Sequence, residues 1–355
     1  MVAQKNEEFR TNKERATALG LKAAPVIEGY NFGKEKTEDI IRANSCGKIR
    51  VQGLYMETNA PEPSKRCNLR CWYCYSETGG MPQRVISLAE MQKAVDIVAG
   101  YGAESVMVAG MGEPLMDRNL LPLIRYVSGK NMRFVLFTNN TLVTKEIASE
   151  LHSLNVSVIA KLGSLDPEAQ DQLVGVKGAH KRIMKGLETL LEAGFREPRL
   201  AVDAPIMRTT LGELEDIWRF LRKNSIIPYF EPLIHSGGAL NDNPRFESEM
   251  LSKKEIVPLF NRLREIDEKE FGYTWVIREG IRQPGTEECR RNLSVLTLRH
   301  NGDVGLCVSD TDTTVGNVFQ EDMGDMIESS KLLKDIRANC PKCACPNCGI
   351  QKLWC

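Results

Sequence analysis

Three cysteines fall within eight residues of this chain, Cys67-Asn68-Leu69-Arg70-Cys71-Trp72-Tyr73-Cys74, at the spacing C-x3-C-x2-C. An apolar run from Val51 to Glu57 precedes them and a helical pattern begins near Ser87, which puts them on a loop leaving a strand. Thiolates are soft ligands that select zinc, copper(I) or iron–sulfur clusters. A structural zinc site takes four nitrogen or sulfur ligands; this loop has three and no histidine nearby. Three thiolates hold three corners of a four-iron cluster and leave the fourth iron open to a small molecule. The bland alternative is three small hydrophobes packed in a buried loop.

From Val51 to Leu233 short apolar runs alternate with longer helical periodicity. The spacing predicts strands at Val51–Glu57, Ser105–Ala109, Arg133–Thr138, Val156–Leu162, Arg199–Met207 and Ile226–Pro232. Between them it predicts helices at Ser87–Tyr101, Asn119–Gly129, Thr144–Leu154, His180–Gly194 and Leu211–Asn224. Ser87 followed by Glu90 is a capping box, and Gly100, Gly129 and Gly194 stand where helix C-termini favour glycine. Such alternation means βαβ units and a mostly parallel sheet, whose chemistry sits in the loops at the strand C-termini. Those loops carry Gly110-Met111-Gly112-Glu113-Pro114, then Thr138-Asn139-Asn140, then Lys161 with Ser164-Leu165-Asp166, then Arg208, and finally Glu231, Pro232 and His235. Taken singly they read as a Gly/Pro turn, an Asn-rich turn, a helix cap at Asp166, a solvated arginine and a structural histidine.

The cysteine loop, with an aromatic residue just before its last cysteine, resembles the cluster motif of the radical S-adenosylmethionine (SAM) superfamily. The resemblance implies a partial (β/α)6, TIM-like barrel in the α/β class. It also implies a [4Fe-4S] cluster on Cys67, Cys71 and Cys74 whose open iron chelates SAM. An electron from the cluster cleaves the sulfonium, and the resulting 5′-deoxyadenosyl radical takes hydrogen from a substrate. By the same resemblance the Gly112-Glu113-Pro114 turn meets the SAM amino group, with Met111 where relatives carry glycine. Tyr73, Asn139, Ser164 and Arg208 complete the expected cofactor-binding set, Arg208 by forking to the SAM carboxylate. Thr209 to Leu214 resembles the turn that packs around adenine. Glu231 is the candidate for substrate contact or proton transfer, and Cys46 is either a buried hydrophobe or an active-site hydrogen donor.

The last 67 residues hold seven more cysteines: Cys289, Cys307, Cys340, Cys343, Cys345, Cys348 and Cys355. Val295–Arg299 and Val304–Val308 alternate around His300-Asn301-Gly302-Asp303, a hairpin signal. The placement of Cys289, Gly302 and Cys307, and of Gly316-Asn317-Val318 before an acidic helix, resembles the SPASM/Twitch extension that binds auxiliary four-iron clusters. The later spacing, C-x2-C-x1-C-x2-C with a further cysteine at 355, departs from the usual C-x2-C-x5-C-x3-C. One or two auxiliary clusters therefore stay open, and a zinc ribbon is the alternative.

These readings divide the chain into an N-terminal extension (1–49), a barrel (50–235), a linker or lid with a charged amphipathic helix (236–288) and a cysteine-rich extension (289–355). The charges of that helix, Ser252–Phe271, are expected on a solvated face. Lys+Arg and Asp+Glu both total 47, which gives no global field for nucleic acid or anionic membrane. No apolar run is long enough to span a bilayer and the first residues are no secretory signal. Thiolate clusters need a reducing compartment, so the expected location is the cytoplasm. The residues before the cysteine loop leave little room for a leader-binding domain. The expected reaction is therefore oxidation, epimerisation or decarboxylation of a small polar metabolite of sugar or aminocyclitol type. Flavodoxin or ferredoxin would supply the electron. A peptide maturase is the alternative, and a zinc-ribbon binding protein the alternative of another class.

Overall fold

The computed structural model describes residues 11–30, 39–41, 43–44, 46–57, 67–74, 84–109, 111–233, 244–275, 294–308 and 313–339. It opens with α1 (Asn12–Leu19) and the short β1 (Lys22–Ala23). The repeat then runs β2 (Gly53–Met56), α2 (Leu88–Gly100), β3 (Ser105–Val108), α3 (Leu120–Gly129), β4 (Arg133–Thr138), α4 (Lys145–Ser153) and β5 (Ser157–Lys161). It continues through α5 (Pro167–Val174), α6 (Ala179–Glu192), β6 (Leu200–Ile206), α7 (Leu214–Lys223) and β7 (Ile227–Pro232). After the repeat come α8 (Pro244–Glu249), α9 (Lys253–Ile266), β8 (Tyr273–Thr274), β9 (Val295–Leu298), β10 (Asp303–Gly305), β11 (Thr314–Asn317), α10 (Met323–Ser329) and α11 (Lys331–Asn339).

The expected strands and helices of the repeat are all present, with ends shifted by a few residues at most. Local chemistry accounts for the starts. Ser87 and Glu90 form the reciprocal capping box of α2, and Asp166 caps α5 with Pro167 in its first turn. Gly194 takes the left-handed conformation expected after α6. After α2 and α3 that conformation falls instead on Gly102 and Asn131, two residues beyond the glycines the sequence singles out.

The central sheet has the order β11-β10-β9-β2-β3-β4-β5-β6-β7, parallel from β9 to β7. Alternate residues of each strand enter two different cores. Leu54, Val106, Leu136, Val158 and Val202 face the helices, while Tyr55, Met107, Val135, Phe137, Ile159, Ala201 and Tyr229 form a second cluster on the inner face. A sheet curled on itself and buried on both faces gives this pattern.

Both the N-terminal stretch and the C-terminal hairpin pack onto the barrel. Ile27 and Tyr30 are buried within the inner cluster. β1 pairs in parallel with β8. Glu28 donates its N–H to Pro198 O at 3.0 Å and its carboxylate pairs with Arg133 at 2.5 Å. Gly29, at φ +80°, lies so near Arg133 that a Cβ there would come within 2.8 Å of it. Arg133 begins β4 and Pro198 precedes β6, so residues 24–30 close the barrel at the strand N-termini. The C-terminal hairpin is likewise continuous with the sheet, because β9 runs parallel to β2 in register from Gly53↔Val295 to Met56↔Leu298.

The expectation that the charges of Ser252–Phe271 all face solvent is revised. Part of Ser236–Ser252 is helical (α8), and 236–243 lie outside the described residues. The charged helix does not keep all its charges in water: Arg264 and Asp267 are buried, the latter bonded to Arg222, Trp218 and Trp275.

Candidate active site

The loops at the C-terminal ends of β2 to β7 surround a cavity of about 220 Å³. Cys67, Cys71 and Cys74 lie on its lining, and so do Gly112, Glu113, Pro114 and Asn139. The cysteine loop is fixed from two sides. Arg70 N–H donates to Val174 O at 2.8 Å, an approach permitted by Gly175, where a Cβ would meet Arg70 O at 2.7 Å. Asn139 donates from Nδ2 to Asn68 Oδ1 at 2.9 Å and lies 3.9 Å from Cys67 Sγ, while Asn68 donates to Thr141 Oγ1 at 2.7 Å.

Burial pushes the Cys71 thiol up to about 12, with Cys74 and Cys67 adding to the effect. Burial likewise raises Cys67, helped by Glu113 and Cys74. Thiols raised in this way, as Cys67 and Cys71 are, ionise only beside a strongly positive centre, so with Cys74 on the same lining the donor set fits an iron–sulfur cluster. Among the described residues no three His, Cys, Asp or Glu side chains gather as a single metal ion would require; a cluster places each thiolate on a separate iron. At pH 8 a thiol at about 12 has roughly a thousandth of the thiolate of an ordinary cysteine. Iodoacetamide should therefore alkylate Cys71 of the metal-free protein about a thousand-fold more slowly than an unfolded cysteine peptide, and faster as pH rises. Mass-spectrometric rates equal to the peptide's would contradict this burial.

The Gly112-Glu113-Pro114 turn is organised by its own carboxylate. Glu113 is buried and accepts from Leu115 N (3.1 Å), Thr138 Oγ1 (2.6 Å) and Asn139 N (2.7 Å). Burial raises its pKa against the opposing pull of those three donors. Its side chain thus joins the ends of β3 and β4. Met111 sits at φ +50° and Gly112 at φ +116°, so Met111 adopts a conformation that glycine enters at less cost.

The far side of the cavity is polar. Lys161 forms an ion pair with Asp203, its partner in the β5–β6 register. Burial pulls the Lys161 ammonium down, but Asp203 and Glu231 outweigh it and the net shift is upward. Tyr229 donates to Glu231 Oε1 at 2.5 Å, and the Tyr30 and Tyr229 hydroxyls are 2.9 Å apart. Tyr30 also meets Tyr55, Phe137 and Tyr229 edge-on, so its ring spans the barrel interior. Tyr73 lies on the cavity hydrogen-bonded to Cys71, and burial raises its phenol well above the ordinary value.

Three expected site residues are elsewhere. Ser164 is buried and donates to Glu213 Oε2 at 2.7 Å; it closes the loop after β5 and is absent from the cavity lining. Arg208 is exposed, paired with Glu255 at 2.7 Å and bonded to the carbonyls of Ser248 and Met250. It holds the turn between α8 and α9, and no residue from Thr209 to Leu214 reaches the lining. Cys46 is exposed on the turn before β2, where Asn44 bonds Arg50. That is the N-terminal end of the strand, opposite the cavity. His235, Gly110, Cys289, Cys340, Cys343, Cys345, Cys348 and Cys355 lie outside the described residues. Cys307 follows β10, and its neighbour Val308 lines the cavity.

The sequence reading passed over Asp203, Tyr229 and Tyr30. A lone aspartate inside the apolar strand Leu200–Ile206 and the i, i+2 pair Tyr229/Glu231 on one strand face were usable signals. Tyr30 had none, because its place depends on a segment docking from outside the repeat.

A model of the radical SAM superfamily matches residues 62–221, and a model of the SPASM iron–sulfur cluster-binding domain matches residues 289–349. The chain is 28% identical over 215 residues to an Fe-coproporphyrin III synthase of Methanosarcina barkeri, covering 59% of this chain and 52% of that protein. It is 28% identical over 167 residues to a probable GTP 3′,8-cyclase of Methanococcus aeolicus, covering 46% and 54%. The match thus spans about half the length of these curated relatives. Streptococcus suis SuiB bound to the precursor peptide SuiA superimposes with a TM-score of 0.65 at 15% identity, over 91% of this chain and 76% of that one. Native anSMEcpe with bound AdoMet gives 0.60 at 16% identity, over 79% and 81%. Among the described residues no helix is long and apolar enough to cross a membrane.

Proposed function

We propose that this chain, which belongs to the radical SAM superfamily and carries a SPASM iron–sulfur domain, oxidises a small polar metabolite of sugar or aminocyclitol type. SAM bound to the cluster supplies the radical that removes hydrogen from carbon. Cys67, Cys71 and Cys74 would hold that cluster, and the Gly112-Glu113-Pro114 turn on the same cavity would meet SAM. C-terminal cysteines, Cys307 among them, hold auxiliary iron–sulfur. Flavodoxin or ferredoxin is the proposed electron donor.

The hydroxyl chain across the cavity carries the substrate assignment. Tyr229 gives its single proton to Glu231. Tyr30 must then donate to Tyr229. Anything else that meets the Tyr30 oxygen has to arrive as a donor, as a substrate hydroxyl or amine does. Once hydrogen has left the adjoining carbon, a proton taken from that hydroxyl or amine can pass through Tyr30 and Tyr229 to the Glu231 carboxylate, and the one electron that remains would go to the auxiliary iron–sulfur, which completes a two-electron oxidation. The fold neighbour SuiB, bound to its peptide, supports the second reading, a peptide side chain as substrate.

The test incubates the reduced protein and SAM with extract from cells grown in deuterated medium, split into a small-molecule filtrate and a peptide fraction. Deuterium in 5′-deoxyadenosine from the filtrate alone supports the metabolite; deuterium from the peptide fraction alone replaces it with the peptide. With the active fraction, Tyr30→Phe should still form 5′-deoxyadenosine but yield about a hundred-fold less oxidised product. Full product yield would remove Tyr30 from the reaction.

A further inference from the structure

One residue of the C-terminal hairpin ties together the two ends of the stretch that carries the three cysteines. At the upstream end, Glu57 follows β2 and donates its N–H to Leu298 O at 3.1 Å. Its buried carboxylate takes two contacts from His300: the backbone N–H at 3.2 Å and the ring Nδ1 at 2.7 Å, both on Oε2. At the downstream end, Ile86 donates its N–H to the carbonyl of the same His300 at 2.9 Å. Nearby, the Arg84 guanidinium lies 3.9 Å from the Phe319 ring centroid. Arg299, beside His300, donates to Cys307 O at 3.2 Å, and its guanidinium comes within 4.0 Å of Glu57.

We propose that His300 is a positioning residue for the SAM-binding cluster, a reading that rests on Cys67, Cys71 and Cys74 carrying it. The imidazole fixes the carboxylate from which the chain departs toward Cys67, and the carbonyl fixes the segment to which it returns after Cys74. Glu57 accepts from His300 and stands beside Arg299, and Arg299 bonds the backbone of Cys307. The hairpin bearing Cys307 and the loop bearing the SAM cluster therefore shift together. Order on the auxiliary side would then bear on how Cys67, Cys71 and Cys74 face Gly112-Glu113-Pro114 across the cavity.

The experiment needs no substrate. Reconstituted wild type, His300→Ala and His300→Asn are compared by iron content, by the change that SAM induces in the EPR spectrum of the reduced protein, and by 5′-deoxyadenosine formed with dithionite. A hydrogen bond to a buried carboxylate is worth roughly ten-fold or more in an equilibrium, and on this proposal that loss is felt in SAM binding. The alanine variant should therefore need about ten-fold more SAM for the spectral change. Asparagine, whose amide can donate to Glu57, should restore most of it. An alanine variant with the wild-type SAM response overturns the proposal, and so does an asparagine variant that folds normally yet is as impaired as alanine. If the alanine variant does not fold, Glu57→Gln decides: it keeps the shape, removes the charge and should weaken the response, and an unchanged response overturns the proposal. A wild type that binds no iron and cleaves no SAM overturns the underlying reading together with this one.

Discussion

A Cys67/Cys71/Cys74→Ala triple variant is expected to lose reductive SAM cleavage altogether while keeping the iron bound by the C-terminal cysteines. The three thiols line one cavity, where burial raises the pKa of Cys67 and Cys71, with Cys74 adding to both. A cluster supported at three corners loses its attachment when all three go, and SAM loses the iron it chelates. Among the described residues the other two cysteines are elsewhere: Cys307 stands on the hairpin beyond β10 and Cys46 on the opposite end of the barrel. Iron should fall by about four per chain, from about twelve to about eight if two auxiliary clusters are present. Anaerobic iron and sulfide quantitation with chromatographic detection of 5′-deoxyadenosine measures both quantities. A triple variant that still cleaves SAM would place the radical chemistry on other cysteines. A wild type carrying zinc in place of iron would favour the zinc-ribbon reading.

The largest effect on stability is expected from Asp267→Ala. Asp267 has no exposed surface and accepts from Arg222 Nε at 2.9 Å, Arg222 Nη2 at 2.7 Å, Trp218 Nε1 at 2.7 Å and Trp275 Nε1 at 3.0 Å. Removing it strands a buried guanidinium and two indole donors, which costs about 3–5 kcal/mol. The surroundings carry the effect to the cavity. Asp267 leads into β8, β8 pairs with β1, and the chain after β1 delivers Tyr30 to the barrel interior. Urea unfolding of the metal-free protein measures the loss. Exchanging both partners, as Arg222→Met with Asp267→Leu, should recover the part due to the stranded guanidinium, while the Trp218 and Trp275 indole donors still lack their acceptor. If Asp267→Ala unfolds at the wild-type midpoint, the buried ion pair is not what joins α7 to this segment.

How far the sequence could be read follows from the range of the forces involved. Strand and helix positions in the repeat were legible because hydrophobic periodicity and caps act over a few residues. The cysteine loop and the Gly112-Glu113-Pro114 turn were legible because their chemistry is set by residues adjacent in the chain. Arg208 and Ser164 misled because a strand-end position does not say where a long or rotatable side chain points; each found a nearer carboxylate, Glu255 and Glu213. Asp267 misled because charge on a helical pattern reads as solvated until two tryptophans and an arginine from other elements surround it.

The sequence by itself determined the α/β repeat, the three thiols at the end of the first barrel strand and the hairpin after residue 294. Contacts short along the chain encode all of them. Only the tertiary structure decided that Tyr30 plugs the barrel and hydrogen-bonds Tyr229, that Lys161 pairs with Asp203 across adjacent strands, and that His300 joins the two ends of the cysteine loop. Each of these brings together residues from 42 to 243 positions apart. No periodicity records such separations, and they follow from which surfaces the whole chain can bury together.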